Sequence, residues 1–112
     1  MERIKRGDVW WVSFDPSLGS EIRKTRPAVI VSNNAANAVL SRVVVVPVTS
    51  QTAKLYPGEA TVTIDGRPAK AMADQIAAAS KQRLRSRVAA LTPADLKSVE
   101  DAILVHLAIH RL

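Results

Sequence analysis

The chain contains no cysteine, which excludes a disulfide framework, a thiolate metal site and a thiol nucleophile. Aromatic residues are scarce: Trp10, Trp11, Phe14 and Tyr56 are the whole set. Aliphatic side chains must therefore fill most of the interior, and the β-branched runs mark where they do so. Long apolar runs are missing as well, since none approaches the roughly 18 residues that read as membrane-spanning. The charged start at residues 1–8 has no apolar region behind it, unlike a signal peptide. A cytoplasmic protein with no membrane partner is the expectation. Glycine-rich phosphate loops, HExxH and GxSxG are also absent, which removes three frequent routes to catalysis.

What is present fits one domain spanning residues 1–112. Sixteen basic side chains against ten acidic ones give a net charge of +6, which favours a polyanionic partner or an acidic protein and does not choose between them.

Period-two patterning predicts a first strand over residues 8–14, with Trp10, Val12 and Phe14 on one face and Val9 and Trp11 on the other. Asp15-Pro16 should stop it, and residues 17–24 should form an exposed loop. Pro27 biases Arg26 toward extended geometry ahead of a second strand, Ala28 to Ser32. Asn33 can cap a short helix to Leu40. Arg42 to Thr49 is the strongest strand, apolar on both faces over Val43 to Val46 and so central, with Pro47 at a bulge, an edge or its end. Another strand is expected over Ala60 to Ile64, stopped by the turn residues Asp65-Gly66-Arg67-Pro68. Lys70 to Gln75 and then Ile76 to Ser80 are ambiguous, since alanine content argues helix, and the hairpin-like turn before them favours strand for Lys70 to Gln75. A final strand is expected over Arg87 to Leu91. A helical turn at residues 81–84 should precede it. Thr92-Pro93 is the clearest helix start, an N-cap hydroxyl followed by proline, with Asp95 reinforcing the positive end of the dipole. The expected fold is mainly β: a small, partly open barrel with short helices and a C-terminal amphipathic α-helix.

His106 and His110 lie four apart, yet no further histidine or cysteine completes a zinc set, so they read as helix-end residues and no metal is implied. Asp8 reads as structural. Two cationic groups stand out. Arg23, Lys24 and Arg26 surround the loop before the second strand, where arginine can grip phosphate through two donors. Lys81, Arg83, Arg85 and Arg87 form an acid-free run, and an extended segment would space the last three about 6 to 7 Å apart, comparable to successive phosphates. Trp10, Trp11 and Phe14 place much of the aromatic surface on one strand. A small barrel offers little to cover both of its faces, so these three are the expected homodimer interface.

The order of Arg6-Gly-Asp-Val-Trp-Trp11, Asp15-Pro16, Gly19-Ser-Glu21, Arg26-Pro27, Val46-Pro-Val-Thr-Ser50, Ala73-Asp-Gln-Ile76 and Lys81-Gln-Arg-Leu84 resembles the MazF/PemK toxins across nearly the whole chain. That resemblance implies a barrel related to the SH3 and gyrase-poison folds and a metal-independent, cofactor-free endoribonuclease. It further implies single-stranded RNA across a dimer, cleaved through attack of the ribose 2'-hydroxyl, and inhibition by an acidic antitoxin. The family's catalytic arginine and threonine fall on Arg26 and Thr49. Its RNA-binding positions extend to Gly19, Ser20, Glu21, Ser50 and Gln75. Two segments depart from the pattern: Ile22-Arg23-Lys24 is bulkier and more cationic, and Ala69-Lys-Ala-Met72 replaces an acidic and hydroxyl-bearing stretch. Both bear on the cut sequence. The competing readings are a non-catalytic nucleic-acid-binding or protein-binding barrel and a topoisomerase poison on the related fold.

Overall fold

The computed structural model describes residues 3–14 and 24–110. Seven antiparallel strands run β1 (Asp8–Ser13), β2 (Thr25–Ile30), β3 (Arg42–Thr49), β4 (Glu59–Ile64), β5 (Arg67–Met72), β6 (Ala77–Ser80) and β7 (Leu84–Ala90). The helices are α1 (Asn34–Val39) and α2 (Pro93–His106), with single 3₁₀ turns at Ala73–Gln75 and Lys81–Arg83. The strand order is β4-β5-β3-β2-β1-β7, and β6 pairs with β3. This curled sheet forms a half-barrel, so the fold class read from the sequence is the one observed.

The curl follows from β3, which changes partner along one edge. Its first half pairs with β6 from Arg42↔Ser80 to Val45↔Ala77, and its end pairs with β5 at Val48↔Ala71 and Thr49↔Lys70. Pro47, which has no N–H to donate, falls in the gap between those two partners. Alternation then feeds two cores. Val9, Val29, Val46 and Val48 pack with Val62, Leu91 and Val99 on the side of α2. Trp10, Val12, Ile30, Val43, Val45 and Leu84 form the second core. Each fully buried valine contributes roughly 1.5–3 kcal/mol of apolar transfer before conformational entropy is subtracted.

The second core removes Trp10 from the expected interface. Because β1 lies between β2 and β7 in a curled sheet, Val9 packs into one core and Trp10 and Val12 into the other within one chain. Trp10 is only 2% exposed, and Phe14 packs against the same cluster. Trp11, at 40% exposed, is the one of the three that faces outward.

Local signals explain most boundaries. Thr92 accepts from the Asp95 N–H at 3.1 Å, so the cap at the start of α2 is as expected. The Asp95 carboxylate also accepts from the Thr63 N–H at 2.9 Å, tying α2 to β4. Asp65 and Gly66, both at positive φ, make a two-residue turn between Ile64 and its partner Arg67. The next strand therefore begins at Arg67, three residues earlier than expected, and ends at Met72. Ala73–Gln75 is a 3₁₀ turn rather than strand, closed by the Ile76 N–H on the Ala73 carbonyl at 3.1 Å. The last strand begins at Leu84 instead of Arg87 because it follows β1 through two irregular registers.

Candidate active site

Continuing the β2/β3 register Ala28↔Pro47 by two residues brings Arg26 opposite Thr49. Pro27 cannot extend the ladder, so the two strands part there and leave an open groove of about 720 Å³. Its walls are Lys24 to Pro27 from β2 and the segment before it, Val48 to Ser50 from the end of β3, and Ile64, Asp65 and Arg67 to Ala69 from the β4–β5 hairpin. Trp11 of β1 and Val88 of β7 complete the lining. The Phe14 N–H donates to the Lys24 carbonyl at 3.1 Å, which joins the end of β1 to the residue that precedes β2.

Arg26 carries the strongest chemical signal. Its Nε is buried and has no acceptor, one of two such side-chain atoms among the described residues. A buried donor left unpaired costs about 1–3 kcal/mol, so a guanidinium held this way on a groove wall is prepared for an acceptor brought by a ligand. Thr49 has the complementary arrangement. Its Oγ1 accepts from the Gln51 N–H at 3.2 Å, which leaves the hydroxyl proton available to a groove occupant. Together they offer a fixed cationic fork and a neutral donor, the equipment for stabilising a phosphoryl group as charge grows on its oxygens.

Of the other expected site residues, Lys24 and Ser50 line this groove. Gly19, Ser20, Glu21 and Arg23 lie outside the described residues, as does the expected strand stop at Asp15-Pro16. Gln75 sits in the 3₁₀ turn, where its Nε2 contacts Met72 Sδ at 3.7 Å, away from the groove lining. The cationic run is not brought there either. Lys81 donates to the Asn37 carbonyl, Arg83 Nη1 to the Ser13 carbonyl at 3.1 Å, and Arg85 Nη1 to the Gln82 carbonyl at 2.9 Å. Arg87 pairs with Asp8 at 3.4 Å, while Asp8 accepts from the Lys5 N–H at 3.1 Å, so this aspartate is structural. The evenly spaced arginine row fails for a physical reason: Arg83 is in a 3₁₀ turn, and the irregular registers of β7 interrupt two-residue alternation.

Sequence reasoning assigned Arg67 to a turn and Trp11 to an interface, and both are groove residues. The two-residue Asp65-Gly66 turn was the available signal for Arg67, because it puts that arginine directly across from Ile64 at the head of a strand. Among the described residues, the Arg67 side chain makes no ion pair, and no group of three or more His, Asp or Glu side chains gathers as metal ligands.

The model of the family described as PemK-like, MazF-like toxin of type II toxin-antitoxin system matches residues 5–107. The endoribonuclease MazF9 of Mycobacterium tuberculosis is 40% identical over 113 residues, covering 93% of this chain and 96% of that protein. A crystal structure of MazF from Deinococcus radiodurans is similar with a TM-score of 0.85 at 26% identity, over 97% of this chain and all of that one (100%). A MazE-MazF crystal structure from the same organism gives a TM-score of 0.77 at 25% identity, over 98% of this chain and 100% of that one.

Proposed function

Because the chain belongs to the PemK-like, MazF-like toxin family and is an endoribonuclease, we propose that the Arg26–Thr49 groove is where it binds single-stranded RNA and cuts it. The observation that carries this reading is the buried, unpartnered Arg26 Nε beside a threonine whose hydroxyl proton is free to point outward. Lys24 and Arg67 line the same groove and add to its positive wall. Half-exposed Trp11, with its cross-strand neighbour Pro27, supplies an apolar platform of the kind on which unpaired bases stack.

In the proposed reaction the substrate's ribose 2'-oxygen attacks phosphorus as its proton is lost. The bond to the 5'-oxygen breaks, that oxygen takes a proton, and the products are a 2',3'-cyclic phosphate and a 5'-hydroxyl. The nucleophile is part of the RNA, so no metal-bound water is required; the protein has to align the attack and stabilise charge. Arg26 does the electrostatic work, since a guanidinium offers a fixed fork of donors and no acceptor, which makes it a poor base. Thr49 donates to a non-bridging oxygen or to the leaving oxygen. Selection of the cut sequence rests with the groove walls, including Arg67 and the Lys24 segment.

The homodimer is proposed through a different face from the one β1 suggested. An open groove of about 1000 Å³ lies between α2 and the α1/β3/β6 side, lined by Leu40, Ile76, Ala78, Ile103 and Leu104 with Arg42 and Glu100 also on it. Edge strand β6 pairs only with β3 among the described strands, and carrying both charge signs lets the patch complement a second copy of itself. An acidic antitoxin is the proposed inhibitor, drawn by a charge of +6 per chain and competing for the RNA groove. No helix among the described residues is long and apolar enough to cross a membrane.

The decisive experiment incubates the protein and chelator with a long defined RNA and maps the 5' ends. The expected result is a small set of cuts with 5'-hydroxyl ends that disappear in Thr49→Val. Tight RNA binding with every RNA left intact would instead favour a binding barrel. Sedimentation of the same preparation should give a dimer, and Ala78→Arg a monomer; an active wild-type monomer would reject the assembly.

A further inference from the structure

Just beyond Thr49 the chain leaves the sheet, and residues 50–57 are all exposed. One buried lysine holds this segment. Lys70, in β5 directly opposite Thr49, is 9% exposed. Its ammonium lies 3.2 Å from Glu59 Oε1, donates to the Lys54 carbonyl at 2.9 Å, and sits 5.7 Å from the centre of the Tyr56 ring. The same Glu59 oxygen accepts from the Tyr56 N–H at 2.7 Å, and the Glu59 N–H donates to the Tyr56 carbonyl at 3.1 Å. A single cation thus reaches two points on the loop that begins at Ser50 and the first residue of the strand that ends it, from the strand position that pairs with Thr49.

A buried ion pair is weak support for stability, since well-packed apolar residues of similar volume often replace one without loss. Its geometric effect is different. Without Lys70, the exposed loop would keep few attachments, and loops of that kind open locally at little free-energy expense. The attachment that bears on Thr49 is at Gln51, at the start of this loop, whose N–H donates to the Thr49 hydroxyl oxygen at 3.2 Å. We propose that Lys70, with Glu59, is a positioning residue for cleavage: it clamps the 50–58 loop so that the Gln51 amide stays on Thr49 Oγ1 and the hydroxyl proton is held toward the RNA. This inference rests on the reading of the groove as the cleavage site. It concerns a segment whose composition set this chain apart from the usual family pattern.

The test compares wild type, Lys70→Met and the double variant Lys70→Met/Glu59→Leu. The single variant leaves a buried carboxylate and is expected to melt earlier, which by itself says nothing about positioning. The double variant removes both charges and is expected to melt within a few degrees of wild type. Amide exchange at Gln51 in the RNA-free protein should nevertheless rise about tenfold or more. With saturating RNA, the single-turnover cleavage rate should fall about tenfold, while the RNA Kd changes less than about threefold. Two results would overturn the clamp: unchanged Gln51 exchange in the double variant, or raised exchange with cleavage at the wild-type rate. A loss confined to Kd would also reject positioning and make Lys70 an affinity residue. If wild type itself left RNA intact, the cleavage reading would fail separately, and Gln51 exchange would still report on the clamp.

Discussion

Arg26 on β2 and the arginines of β7 are the same residue type on the two strands that flank β1, yet the fold commits them differently. Arg85 and Arg87 are each held by the protein, one on a carbonyl and one on a carboxylate, and Arg83 at the head of β7 is held by the Ser13 carbonyl. Arg26 is partly buried beside a groove with its Nε unpaired. A satisfied guanidinium braces the structure that satisfies it, whereas a buried unsatisfied one has already lost its water and gains most when a ligand supplies the acceptor. Neither a count of cations nor their spacing in sequence tells these two arrangements apart. The open donor at Arg26 does, and the proposed RNA groove rests on it.

The sharpest way to break this contrast is Arg26→Lys. Lysine keeps the charge and loses the planar fork, so single-turnover cleavage should fall about 100- to 1000-fold, in the range for removing one preorganised donor. Affinity for RNA should weaken by less than about threefold, because the charge that attracts the backbone is kept. Equal losses in rate and affinity would show that Arg26 grips RNA and does not favour the transition state.

How far the sequence anticipated this arrangement depends on whether a signal was local. The Thr92-Pro93 cap, the two-faced valine run of β3 and the Asp65-Gly66 turn each act within a few residues, and each was legible. Alternation put Trp10 and Trp11 on opposite faces of one strand, but which of the two is buried was not legible, because the curl of the sheet decides it. Alanine-rich residues 70–80 were ambiguous because alanine suits strand and helix alike, and the 3₁₀ turn at Ala73–Gln75 is set partly by a distant contact, the Ala73 N–H on the Gly58 carbonyl at 3.0 Å. Arg26 and Thr49 were named through family resemblance; their opposition across the end of the β2/β3 ladder is a tertiary fact. The Lys70–Glu59 pair is similar, joining residues from two strands that only the hairpin register brings together.

Arg67 tests the intermediate case, an exposed arginine on the groove without an ion pair among the described residues. It stands in solvent, so it should act through the backbone charge of RNA and contribute little to the chemical step. Arg67→Gln is expected to weaken RNA binding about three- to tenfold at moderate salt, and to reduce the salt slope by about 0.7, the release expected from one single-strand phosphate contact. The saturated cleavage rate should stay within about twofold. A large rate loss with unchanged affinity would move Arg67 into the reaction itself.

The smallest effect on RNA is expected from Arg87→Ala, which carries the comparison to its other end. Spacing along β7 suggested a phosphate contact, whereas the structure places the guanidinium against Asp8, near the start of β1. Asp8 is 4% exposed and keeps the Lys5 N–H as a donor, so loss of Arg87 leaves it partly satisfied. The Arg87 side chain is 39% exposed, which screens the pair, and the stability lost should be about 1 kcal/mol or less by denaturant titration. Affinity and salt slope should match wild type. A slope reduced by as much as in Arg67→Gln would mean that RNA runs across β7 as well, and that pairing with a carboxylate does not remove an arginine from the polyanion path.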